Sequence, residues 1–127
     1  MKSLVVFVLL VAGGMWWAWD AFNTDRIQAF VDSKIYEKWG PQAEYNLAQL
    51  CELTGRYEGA IHCYSAIMEA VPHSELAEKA MYRTAICLSQ LNKFTESVAT
   101  FDAFLEKYPE SLFRDLAQRR RAGIFNR

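Results

Sequence analysis

Apolar positions run along this chain in two rhythms. Residues 4–12 are an unbroken apolar run, and no charge falls between Ser3 and Trp19. From Ile27 onward the apolar residues return at intervals of three and four, the spacing that lines one face of an α-helix. Ile27, Phe30, Val31, Ile35 and Tyr36 predict a helix for which Asn23-Thr24-Asp25 offers N-cap chemistry, ending near Trp39-Gly40-Pro41. Pro41 suits the first turn of the next helix. Leu47, Ala48 and Leu50 continue the pattern, Gly55 interrupts it, and Ala60, Ile61, Tyr64, Ile67 and Met68 resume it until Pro72. Met81, Ala85, Leu88 and Leu91 form the next periodic run. A turn at Asn92 follows, then Val98, Phe101, Phe104 and Leu105 before Tyr108-Pro109.

The last four runs are two copies of one unit. Tyr57 and Phe94, Ala60 and Ser97, and Pro72 and Pro109 are each separated by 37 residues. A constant offset of this size predicts stacked supersecondary units. Asn92 can adopt the left-handed conformation that Gly55 supplies in the first copy. The small pairs Ala48/Ala60 and Ala85/Ser97 let antiparallel helices approach closely, and Tyr57 and Phe94 fill the space beside each turn. A third copy starts over Asp115 to Phe125 and stops, leaving a closing helix.

Small residue, Gly or Asn turn, aromatic, small residue, second aromatic and terminal Pro form an arrangement that resembles the tetratricopeptide repeat, over roughly residues 42–127. Two departures stand out. Glu44 occupies the place of an early bulky residue, and Ile67 and Phe104 occupy that of a late small one. The 37-residue period with its Tyr-Pro-Glu-Ser linker is similar to repeats of bacterial envelope proteins, such as outer-membrane assembly lipoproteins and the Tol-Pal coordinator. The resemblance implies an all-α, short helical-hairpin solenoid of about two and a half repeats. Its expected parts are a linking or capping helix over 23–40 and a repeat domain over 41–127, with repeats near 41–74 and 78–111 and a closing helix over 115–125.

The first 22 residues are expected to be a transmembrane anchor in front of that solenoid. About 16 uncharged residues lie near the lower limit for crossing a bilayer, and Ala21-Phe22 extends them. Trp16, Trp17 and Trp19 suit a headgroup interface, where an indole buries its ring and keeps its N–H hydrated. A cleaved signal peptide with Ala12 and Gly14 before the cut is the alternative, and a helix covered by a partner is a third. No Cys follows Gly14, which argues against a lipoprotein. The expected topology is a single-pass inner-membrane protein with a cytoplasmic N-terminus and an extracytoplasmic, periplasmic repeat domain.

The net charge of −1 argues against general nucleic-acid binding. Cys51, Cys63 and Cys87 lack metal-ligand spacing and fit buried structural thiols, with one disulfide as an alternative. His62 and His73 fit a helix surface and a linker. There is no phosphate loop or nucleophile elbow, so no catalytic residue, cofactor or metal is expected.

In the resembling family the first helix of each unit lines a concave groove. Carried onto this chain, the groove positions hold Tyr45, Asn46, Gln49, Lys79, Tyr82, Arg83, Ile86, Arg119 and Arg120. Arg83 and Arg120 are equivalent, and two guanidinium forks there suit carboxylates on an acidic peptide. The competing reading pairs these arginines with Glu75, Glu78, Glu110 or Asp115 on the surface. The expected function is a non-enzymatic, membrane-anchored protein-interaction adaptor, an accessory or assembly subunit of a larger membrane or envelope complex. The alternatives are an independent periplasmic scaffold or a secreted protein binding acidic segments. Two and a half units bury a modest core, so self-association is also compatible.

Overall fold

The computed structural model describes residues 2–21 and 24–126, with side chains described outside residues 18–25. Seven α-helices and no strand occur among the described residues: α1 (Lys2–Ala21), α2 (Thr24–Ser33), α3 (Gly40–Leu53), α4 (Tyr57–Ala70), α5 (Glu75–Gln90), α6 (Phe94–Lys107) and α7 (Arg114–Phe125). The N-cap chemistry expected from Asn23-Thr24-Asp25 falls on side chains outside the described residues. Helices α3 and α4 form one hairpin and α5 and α6 the next. Each of these helices packs on its neighbours in the chain, with α2 against α3 and α4, and α7 against α5 and α6.

The two hairpin turns are built alike. Gly55 has φ +75° and Asn92 has φ +61°. Each lies one residue past a helix C-cap, where the left-handed conformation closes the last turn. The Gly55 and Arg56 amides donate to the Glu52 and Cys51 carbonyls at 3.1 and 2.7 Å. Asn92 and Lys93 repeat this onto Ser89 and Leu88 at 3.1 and 3.0 Å. The paired bonds satisfy carbonyls that a helix end would otherwise leave open. At the linker, the Ser74 hydroxyl accepts from the Ala77 amide at 3.2 Å and caps α5.

The small residues do what their spacing requires. Ala48, Ala60, Ala80, Ala85, Ser97 and Ala117 are all fully buried, which brings successive helix backbones together. Ser97 also donates to the Ala85 carbonyl at 2.7 Å, so its hydroxyl is satisfied inside the core. The core has two parts. One gathers Val31, Ile35, Leu47, Cys51, Cys63, Tyr64 and Ile67 around the first hairpin. The other gathers Tyr82, Ile86, Phe101, Phe104 and Ala117 around the second. Burial pushes the Cys51 and Cys63 thiols up and raises Cys87 to about 12, so all three are held protonated and free.

A corner between α2 and α3 completes the first core. A side chain on Gly40 would sit 2.0 Å from the Lys34 carbonyl oxygen, so only glycine permits this approach. The Phe30 and Trp39 rings stack beside it with centroids 6.4 Å apart.

The expected transmembrane helix is not upheld, and with it falls the single-pass inner-membrane topology. Among the described residues, no helix is long and apolar enough to cross a membrane. The strongly apolar part of α1 is confined to residues 4–12, which span roughly 14 Å at ~1.5 Å per residue. A hydrocarbon layer is about 30 Å thick. Gly13, Gly14 and the indoles that follow add little aliphatic length. The interface role expected for the tryptophans loses its basis: Trp16 and Trp17 are exposed, and the side chain of Trp19 lies outside the described residues. Helix α1 contacts none of the other helices among the described residues.

Candidate protein-binding groove

The first helices of successive units, α3, α5 and α7, share one face of the stack. A cleft of about 410 Å³ opens there, lined by Gln49, Glu52 and Leu53 of α3, Tyr57 of α4, Arg83, Ile86 and Gln90 of α5, and Arg120 of α7. Four expected groove residues therefore meet: Gln49, Arg83, Ile86 and Arg120. Glu52, Leu53, Tyr57 and Gln90 join them without having been expected in the groove. A helical signal for two of these existed, since Glu52 follows Gln49 by three residues and Gln90 follows Ile86 by four.

The remaining expected residues sit elsewhere or are occupied. Tyr45 is half-buried with its ring 5.8 Å from Tyr64, and burial raises its phenol. Asn46 is exposed and accepts from Gln42 at 3.1 Å. Tyr82 is buried, stacked on Phe113 at 5.0 Å. Arg119 is exposed outside the cleft. Lys79 lines a different cleft of about 690 Å³ with Glu75, Glu78, Tyr108 and Glu110.

The two equivalent arginines have unequal surroundings. Arg83 donates from Nε to Glu52 Oε1 at 3.0 Å and from its terminal nitrogen to the other carboxylate oxygen, a bidentate pair. The Tyr64 hydroxyl donates to the same carboxylate, which is largely buried. The Glu52 hydrogen bonds raise Arg83 above its ordinary range, and burial followed by Glu52 raises Tyr64, so both stay protonated. Arg120 instead donates to the Tyr82 hydroxyl at 3.1 Å and has no carboxylate partner among the described residues. Arg121 turns away to pair with Asp102.

The cleft therefore combines one neutralised cation, one uncompensated cation, two amides, and an apolar wall of Leu53, Tyr57 and Ile86. It suits an extended peptide with an apolar side chain beside a carboxylate. Among the described residues, no three His, Cys, Asp or Glu side chains converge to hold a metal ion.

Most of the hairpin of α5 and α6 is matched by a family model. Residues 79–111 match a tetratricopeptide repeat. Such repeats generally mediate binding to protein partners and are typically scaffolds rather than catalysts. The matched span begins within α5 and ends in the linker before α7. The bacterial-envelope character expected from the longer period has no counterpart in this match. No curated protein matches the chain.

Proposed function

We propose that this chain is a non-enzymatic adaptor that binds an extended acidic segment of a partner protein in the cleft between α3, α5 and α7. The observation that carries the reading is the meeting of Gln49, Arg83, Gln90 and Arg120, from three different helices, beside exposed Leu53. Arg120 is the principal attraction because no carboxylate among the described residues neutralises it. Arg83 is held by Glu52 and shapes the cleft wall instead of greeting a ligand.

A role as an accessory subunit of a larger assembly is favoured by α1. Its described apolar side chains, from Leu4 through Trp17, are exposed, and a permanent partner would cover them.

The test is affinity purification of the full-length chain at native expression, paired with an Arg120→Glu variant. The wild type should recover a fixed-stoichiometry partner. The variant should retain its helical circular dichroism and lose that partner at least ten-fold. Undiminished recovery by a folded variant would remove the cleft from the binding site.

A further inference from the structure

Glu44 is fully buried, and neither of its carboxylate oxygens has a hydrogen-bond partner. Asp32 Oδ1, reaching in from α2, is also buried without a partner. Asp32 is thus the charged neighbour of Glu44 at the edge of a cluster formed by Val31, Ile35, Leu47, Cys51 and Cys63, with Oδ1 turned inward and the rest of its carboxylate partly exposed. Two negative charges so placed repel each other, and that of Glu44 also loses its hydration. One proton removes both penalties, because a neutral carboxyl donates a hydrogen bond to its ionised neighbour.

We propose that Glu44 and Asp32 share one proton across the contact between α2 and α3, and that loss of this proton releases α2 from the stack. The device is independent of the groove and of what binds there. It uses the α2 corner that Gly40 closes, so the covering of the first hairpin responds to pH.

The titratable surroundings are few. Asp32 faces Glu44 from α2, Cys63 and His62 from α4, and Cys51 from α3 itself. Helix α5, on the other side of α3, sends Arg83 to Glu52 instead. His62 Nε2 lies 2.9 Å from Asp32 Oδ2, so its ring N–H occupies the outer oxygen and leaves Oδ1 for Glu44. No set of three ligands suits a metal among the described residues, and a proton is the neutralising charge that fits.

The direction follows from linkage. Burial first, and Asp32 second, raise the Glu44 carboxyl from 4.5 to about 7. The docked state thus keeps a proton that an undocked, solvated Glu44 gives up. Docking is strongest below about 4.5, weakens as pH rises from there to about 7, and levels off above.

Amide hydrogen exchange on the full-length chain, corrected for the intrinsic pH dependence of exchange, tests this alongside a carbon NMR titration of the glutamate carboxyls. Between pH 5 and pH 8, protection of the α2 amides should fall by on the order of ten-fold to a hundred-fold, because a carboxyl raised from 4.5 to about 7 binds its proton about 300 times more tightly in the docked state, and most of that factor is lost across this window. Protection of α5 and α6 should hold. Glu44→Gln, whose amide donates permanently to Asp32, should keep α2 protected throughout, while His62→Gln should retain the fall. A pH-independent α2, an unchanged fall in Glu44→Gln, abolition of the fall by His62→Gln, or a Glu44 carboxyl titrating at its ordinary value would each overturn the proposal. The titration on unmodified protein decides the matter even if Glu44→Gln does not fold.

Discussion

At equivalent places the first hairpin carries Glu44, Cys63, Tyr64 and Ile67, and the second carries Met81, Thr100, Phe101 and Phe104. The backbones agree in their turns and in their small contact residues. The interiors do not. The second hairpin is filled by a connected set of rings: Tyr82 lies 6.4 Å from Phe101 and 5.8 Å from Phe104. The first buries a carboxylate and two thiols, and it spends its one fully buried ring, Tyr64, on a hydrogen bond to Glu52. Backbone repetition and side-chain chemistry are therefore separable. The turn and the small residues preserve the stack while the interior diverges. The tetratricopeptide match covers 79–111, most of the hairpin with the aromatic core and part of the linker after it.

Removing a ring tests this contrast hardest. Phe101→Ala should cost about 3–5 kcal/mol in urea unfolding, the usual loss for a buried Phe without repacking. A loss below about 1 kcal/mol would mean that the second core is not set by its aromatics. The turns provide the next contrast. Gly55→Val should cost at least ~1–2 kcal/mol, because a β-branched side chain is forced into the left-handed region, whereas Asn92→Gly should be close to neutral. Equal thermal shifts for the two would deny their equivalence. Smallest is Ser97→Ala, which gives the second hairpin the alanine found at position 60 and deletes one internal hydrogen bond. It should cost about 0.5–1.5 kcal/mol, read from the denaturation midpoint.

The repeat was legible because its signals are local. Gly55 and Asn92 stand where a positive φ is needed, and the small residues recur at a constant offset, so hairpins and stacking follow from position alone. The ion pairs between helices were not legible. Arg83 meets Glu52 across 31 residues, and Arg121 meets Asp102 across 19, rather than any of the linker acids close in sequence. Those choices depend on which helix faces come together and how long side chains are aimed. Glu44 was visible as a departure from the repeat pattern. Its neighbour Asp32 comes from a helix outside the repeat, and that contact depends on the Gly40 corner. The apolar start of the chain was read by its freedom from charge, but length decides spanning, and the aliphatic part is too short.

Because the helices from α2 onward pack on those beside them in the chain, the loops that must close during folding are short. Short closure costs little entropy, and chains dominated by local contacts fold quickly. The hairpins can therefore form as each emerges during synthesis, without waiting for the C-terminus. Any hairpin can serve as the nucleus from which its neighbours are added, and a kinetic trap requiring distant segments to exchange partners has little to build on.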